Sequence, residues 1–144
     1  MKTLLYSTLL LLLTFSFAAC QKETKPATKS STPESTIDGK WYLMRIHGGI
    51  SGANETYSAG AISWDFHSST STLTVTNTVG NSSYYYLPSG TYSFQQISGA
   101  NGTYLTINAN ELGKLVFSGN QLLIDENKKS TGEGACGFYL TLQR

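Results

Sequence analysis

The sequence has no excess of charge of either sign. Its 144 residues include ten Lys or Arg and nine Asp or Glu, which gives a formal net charge of +1 at pH 7. A protein that binds nucleic acid presents a basic stripe that neutralises phosphates. Here most of the Lys residues fall in one N-terminal segment and one turn, and we interpret them as solvated charges. The charge distribution therefore argues against a nucleic-acid partner.

Cysteine is scarce, and common catalytic motifs are missing. Cys20 and Cys136 are the two thiols, and we expect Cys136 to be packed or half-exposed. Asp65 and His67 would share one face of a strand, which is a start for a metal site or a general base. Two ligands are too few for a metal site, however. The alternation of apolar and polar residues in this segment also places both side chains on the face that points to solvent. We expect no catalytic residue, no metal and no cofactor, and therefore no enzyme.

The longest hydrophobic run lies at the N-terminus. Lys2 precedes an apolar run over residues 4–17, which has the length of a signal-peptide core rather than that of a spanning helix. Ala18, Ala19 and Cys20 follow directly. This order resembles the lipobox of bacterial lipoproteins, in which the Cys thiol is acylated, for instance with palmitate, before the chain is cut.

The lipobox resemblance implies three parts of the chain. Residues 1–19 would be a lipoprotein signal peptide, residues 20–36 a lipidated Cys20 with its tether, and residues 37–144 one domain. The tether has no large apolar side chain, so it cannot bury enough surface to offset its ordering entropy. The lipid would hold the protein on the bacterial outer membrane, facing the periplasm or the outside. The alternative is an ordinary secretory signal cut after Ala19, with Cys20 left as a free thiol.

Residues 37–144 contain no window of eleven residues with helical periodicity. Apolar and polar residues alternate instead, which is typical of half-buried strands. Ile62, Trp64 and Phe66, for example, share one face of a short segment. The alternation predicts eight strands, over residues 40–47, 61–67, 72–76, 91–97, 103–108, 114–117, 121–125 and 137–143.

Short turns between these strands predict how they are connected. Gly and Asn tolerate the positive φ of tight hairpin turns, and both are frequent between the predicted strands. Consecutive short strands joined in this way form a meander, which removes its edges by closing into a barrel. We therefore expect an all-β, eight-stranded antiparallel up-and-down barrel, with an open sandwich as the alternative. The run from Tyr84 to Tyr86 fits either a strand or an aromatic flap over the barrel mouth.

Gly39-Lys40-Trp41 opens the first predicted strand, directly after the tether. Here the chain resembles the lipocalin group, whose barrels begin with Gly-x-Trp and place a basic side chain from the last strand across that indole. Arg144 has the parity of the apolar residues in the last predicted strand. The resemblance implies that Trp41 and Arg144 form a structural pair at the closed end. It also implies a lipocalin-like domain lipoprotein of the small Bacteroidetes type.

Two functions are compatible with such a monomeric barrel. An eight-stranded barrel is just wide enough to be filled by side chains or to hold one small ligand. In the first interpretation its lining binds a small apolar or amphipathic ligand, with Arg45 or Gln96 as a polar anchor near the open end; the candidate lining residues are Arg45, Trp64, Phe66, Tyr92, Phe94, Gln96, Phe117 and Phe138. In the second, the same positions form a packed core, and the loops over residues 47–60 and 77–88 bind a cell-envelope protein, as an inhibitor would.

Overall fold

A computed structural model describes residues 36–80 and 87–144 of the chain. In these residues all regular structure is β, and no helix is long and apolar enough to cross a membrane. Residues 1–19, Cys20, most of the predicted tether and the Tyr84 to Tyr86 run lie outside the described residues. The strands are β1 (Gly39–Gly48), β2 (Ala53–Thr56), β3 (Ile62–His67), β4 (Thr72–Asn77), β5 (Gly90–Gly99), β6 (Gly102–Ile107), β7 (Asn110–Ser118), β8 (Gln121–Asp125), β9 (Lys128–Lys129), β10 (Gly132–Glu133) and β11 (Phe138–Gln143).

The strands form an antiparallel sheet that closes on itself. Its order is β11-β8-β7-β6-β5-β4-β3-β1-β2, and a further pairing between β11 and β1 completes the circle. β2 and β3 pair in succession along β1, β2 with its second half and β3 with its first. The result is an eight-stranded up-and-down barrel with one extra strand, so the predicted fold class is confirmed. β9 and β10 form a separate two-stranded hairpin.

All eight predicted strands are present, but two segments were assigned wrongly. β2 lies in the predicted loop over residues 47–60, and the β9–β10 hairpin lies in the predicted turn after β8. β2 contains one buried apolar residue, Ala53, and owes its conformation to backbone pairing with β1. Its sequence therefore lacks the alternation that marks the other barrel strands.

A β-bulge divides β1. Its register with β11 shifts between Leu43 and Arg45. An extra residue in one strand reverses which side chains face inward beyond that point. Trp41 and Leu43 are buried before the bulge, and Ile46 is buried after it. The inward parity of β1 consequently changes from odd to even numbers.

The barrel interior is the hydrophobic core. Each large side chain removed from water in this way contributes about 1.5–3 kcal/mol. Trp64, Phe66 and Phe94 occupy the middle, with ring centroids 6.1 Å apart for Trp64 and Phe66 and 5.0 Å apart for Phe66 and Phe94. Around them lie the other buried residues, which include Ile37, Trp41, Leu43, Ile46, Ile62, Leu73, Val75, Leu105, Leu115, Leu122, Ile124, Leu140 and Leu142.

Candidate functional site

The pair expected at the closed end of the barrel is in contact. The guanidinium carbon of Arg144 lies 4.1 Å from the ring centroid of Trp41. Arg144 Nη2 donates a hydrogen bond to the carbonyl of Thr36 at 2.7 Å, and Trp41 Nε1 donates to the carbonyl of Ile37 at 2.7 Å. The two side chains thereby tie the segment before β1 to the end of β11.

The aromatic residues predicted to line a cavity pack against one another. Trp64, Phe66 and Phe94 are at most 3% exposed, and the Phe66 ring contacts both of the other rings edge to face. Other predicted lining residues, Tyr92, Phe117 and Phe138, are partly buried and pack against this core. The space that a ligand would need between the three central rings is therefore filled by the rings themselves.

Arg45 was predicted to be a polar anchor of the barrel lining near the open end, and this prediction is wrong. Its side chain is on the outside, where Nε and Nη2 donate to the side-chain amide oxygen Oδ1 of Asn54 in β2 at 3.0 and 2.8 Å. The bulge between Leu43 and Arg45 is the cause, since it reverses the parity on which the prediction depended. Ile46 takes the inward position instead.

Gln96 was the second predicted anchor, and it is exposed at the rim. The pairing of β4 with β5 ends at Thr72 and Ser93, whereas β5 continues to Gly99 beside β6 alone. Gln96 lies in this overhang. It lines a surface pocket of about 340 Å³ with Ser68, Ser71, Phe94 and Gln95.

Tyr92 lies at the opposite end of the barrel, in a small depression at the rim. The depression has a volume of about 230 Å³ and is lined by Leu87, Tyr92, Ile107, Asn108, Asn110, Glu111 and Leu112. Pockets for small organic ligands usually measure about 300–1,000 Å³. The depression is therefore smaller than an ordinary ligand site.

Asp65 and His67 face outward, as the alternation predicted. His67 Nε2 lies 3.7 Å from one carboxylate oxygen of Asp65, and Lys40 Nζ lies 4.0 Å from the other. Within residues 36–80 and 87–144, no three His, Cys, Asp or Glu side chains are grouped so as to hold a metal ion. Cys136, which we expected to be packed or half-exposed, is exposed and has a φ of 61°.

Two buried ring nitrogens lack a hydrogen-bond partner among the described residues. They are Nε1 of Trp64 in the core and Nδ1 of His47, whose ring stacks on Tyr139 with centroids 5.0 Å apart. Such groups are rare in folded proteins because burying them unpaired costs free energy.

Sequence reasoning missed a groove on the outer surface. The β9–β10 hairpin lies against β7, where Lys129 Nζ donates to the carbonyls of Glu111 and Leu112 at 2.9 and 2.8 Å. The Glu111 carboxylate accepts bonds from the backbone N–H and hydroxyl of Ser130, both at 2.6 Å. The groove measures about 410 Å³ and is lined by Asn101, Tyr104, Lys114, Lys128, Lys129, Ser130, Gly132 and Glu133.

One ion pair stands at the edge of this groove. Lys128 Nζ donates to a carboxylate oxygen of Glu133 across the hairpin. This hydrogen bond raises the pKa of Lys128 and lowers the pKa of Glu133. Both side chains are solvated, so the pair adds little to stability. The Lys residues of this turn were interpreted from sequence as solvated charges, and the fold gathers them beside Lys114.

Comparison of the chain with protein-family models, with curated proteins and with solved structures found no match.

Proposed function

We propose that this protein is a membrane-anchored, lipocalin-like lipoprotein without catalytic activity. Its barrel serves as a solid scaffold that presents loops to a protein of the cell envelope. The packed interior carries this proposal, because Trp64, Phe66 and Phe94 occupy the volume that an internal ligand would need. A protein partner would therefore bind to the outer surface of the barrel.

The turn between β1 and β2 is the best-supported recognition element. Ile50 at its tip is 91% exposed. The turn is fixed by a hydrogen bond from Gly49 N to the carbonyl of Gly137 at 3.1 Å and by close packing of Gly49 against the Phe138 ring. A rigid element loses little conformational entropy when it binds. Ile50 is therefore an exposed apolar side chain on a preorganised turn.

Site-specific photo-cross-linking in intact cells tests this proposal. A photoreactive residue in place of Ile50 should give an adduct with one envelope protein. Val116 provides the matched control, because it is also an exposed apolar residue, 42% accessible, but lies on the outer wall of β7. The same adducts at both positions, or none at position 50, would contradict a specific role for the β1–β2 turn.

The anchor is tested separately. If Cys20 is acylated, Cys20→Ala should leave an unprocessed precursor or release the protein from the membrane fraction. Metabolic labelling with a fatty acid should mark the wild-type chain and not the variant. Wild-type protein without label would remove the lipoprotein part of the proposal and leave the barrel scaffold untouched.

A second candidate function is binding of a small apolar or amphipathic ligand at the rim. The depression beside Tyr92 favours it for a ligand small enough for a volume of about 230 Å³, because Leu87, Ile107 and Leu112 give it an apolar wall. Native mass spectrometry of protein purified from its own membrane distinguishes the two functions. A stoichiometric small molecule would favour the rim site, and its absence together with a bound protein would favour the scaffold.

A further inference from the structure

We propose that the groove beneath the β9–β10 hairpin binds a phosphate monoester carried by a small hydroxylated molecule, such as a sugar phosphate. This site is separate from the β1–β2 turn. The inference therefore does not depend on the proposed scaffold function.

Positive charge is concentrated in this groove. Residues 36–80 and 87–144 contain six Lys or Arg and seven Asp or Glu. Three of those six cations, Lys114, Lys128 and Lys129, line the groove, and Glu133 is the one acidic residue of its lining. The lining thus has a formal charge of +2 in a part of the chain whose own formal charge is −1.

Lys114 is the ammonium group available to a ligand. It makes no hydrogen bond or ion pair within the described part of the chain. Lys114 in β7 pairs with Tyr104 in β6. Its aliphatic stem packs on Gly102, so closely that a Cβ added to this glycine would lie 2.9 Å from Lys114 Cε. The nearby Glu111 carboxylate is engaged by Ser130 and is therefore not a free counter-ion.

The neighbouring groups supply further donors. An ammonium group has three N–H bonds, and Lys129 uses two of them on the carbonyls of Glu111 and Leu112, which leaves one. The Asn101 amide and the Tyr104 hydroxyl make no hydrogen bond to any described residue, and both residues line the groove. Phosphate oxygens and sugar hydroxyls can accept from these donors.

The cations favour phosphate over carboxylate. Arginine, whose planar fork binds carboxylates in bidentate fashion, is not part of the lining, whereas lysine binds phosphate as a point charge. A phosphate monoester carries a charge of about −1.5 to −2 at pH 7, which matches the +2 of the lining. The volume of about 410 Å³ also falls in the usual range of small-molecule pockets.

The hairpin that forms the groove is held firmly in place. Besides the contacts of Lys129 and Ser130, the Asn127 side chain accepts from Gly137 N at 2.8 Å and donates to Gly137 O at 3.2 Å. These bonds close the loop at its base. The groove therefore exists before a ligand binds, and little ordering is needed on binding.

Titration of the full chain in detergent with glucose 6-phosphate, followed by calorimetry and NMR, tests the proposal. Saturable binding is expected, and uncharged glucose should not bind. Lys114→Gln should weaken binding about tenfold or more, because it removes the unpaired cation. Glu133→Gln should strengthen it several-fold, because it releases Lys128. Lys40→Gln is the matched control and should leave the affinity unchanged, since Lys40 lies near Asp65 on another part of the surface.

A lipid headgroup is another source of the same phosphate group. Competition by vesicles that contain phosphatidic acid, lost in Lys114→Gln, would assign the site to a lipid, whereas failure of vesicles to compete would assign it to a soluble ligand. Opposite shifts in Lys114→Gln and Glu133→Gln, with unchanged NMR spectra away from the groove, would support the site in either case. The proposal is overturned if wild-type protein binds neither probe, or if the affinity is the same in both variants.

Discussion

The indole of Trp41 organises the closed end of the barrel. It is fully buried, its Nε1 donates to the carbonyl of Ile37, and the Arg144 guanidinium covers its outer face. Arg144 is itself anchored on the carbonyl of Thr36. One ring therefore connects the entry of the chain into β1 with its exit from β11.

Substitution of this pair should show that the two residues act together. Trp41→Ala should lower the free energy of unfolding by about 3–5 kcal/mol, as a large-to-small change in a core does. Arg144→Ala should cost about 1–2 kcal/mol through the lost cation–π contact and the lost packing of its stem. The double variant should lose less than the sum, because each contribution depends on the other residue. Denaturant unfolding measures the free energies of unfolding of the two single variants and the double variant. Strictly additive losses would show that the contact between the two side chains contributes no coupling energy.

Gly113 is required by a close approach of two strands. A Cβ at this position would lie 2.7 Å from the carbonyl carbon of Asp125, which is a backbone atom that cannot move independently. Gly113→Ala should therefore destabilise the protein by about 1–3 kcal/mol. Gly90→Ala is the control, because its Cβ would meet the Tyr92 ring at an ordinary 3.6 Å. Equal melting temperatures for the two variants would contradict this explanation.

Asp38 makes the free energy of unfolding depend on pH in the acidic range. Hydrogen bonds from the hydroxyl and then the backbone N–H of Ser68 hold its pKa below the ordinary 3.8, with a smaller attraction from His67. A carboxyl whose pKa is lower in the folded state stabilises the protein above its unfolded pKa, and this contribution is lost as the pH falls through the folded pKa. The stability advantage of wild type over Asp38→Asn should be constant above about pH 5 and shrink below about pH 4. Thermal unfolding across this range measures it, and a constant difference would contradict the assignment.

At the scale of the strands, alternation was sufficient to predict the barrel but not its irregularities. Ile62, Trp64 and Phe66 face inward as their spacing indicated. The bulge before Arg45 depends on the register between β1 and β11, which are separated by most of the domain. A local pattern holds no information on that register, so the inward position predicted for Arg45 was wrong.

The β9–β10 hairpin was missed for a related reason. Its residues are polar, and it is held by bonds to the backbone of β7 and to the Glu111 side chain rather than by burial of an apolar face. No periodicity marks such a segment. The cationic groove that it forms with Lys114 could therefore not be predicted from the sequence, because it depends on where the hairpin lies against β7.

The overhang of β5 should be detectable by hydrogen exchange. Asn108 N donates to the Ser93 carbonyl, so odd-numbered residues direct their backbone groups to β6, whereas even-numbered residues face the side where β4 has ended. The amides of Gln96 and Ser98 should thus exchange at least about tenfold faster than those of Gln95 and Ile97. NMR-detected exchange measures this, and equal rates at the four positions would show that another segment covers the edge.

At the scale of the whole molecule, the closed barrel and the ring contacts in its interior are the basis for proposing that recognition occurs on the outside. The sequence predicted the eight strands and the residues of the core, including Trp64, Phe66 and Phe94. It could not decide between a packed core and a cavity, because that depends on how side chains from different strands interdigitate. The ring contacts in the structure favour the packed core. Recognition by this protein is accordingly expected at its turns and in its outer groove.

The most direct test of this account is a nuclear Overhauser experiment on the full chain with an excess of dodecanoate as an apolar probe. The Phe66 and Phe94 rings, whose centroids lie 5.0 Å apart, should give direct ring-to-ring cross-peaks that the probe leaves unchanged. A barrel with a ligand cavity would instead show cross-peaks from the probe to these rings together with a loss of the contact between them, and that result would contradict the solid scaffold.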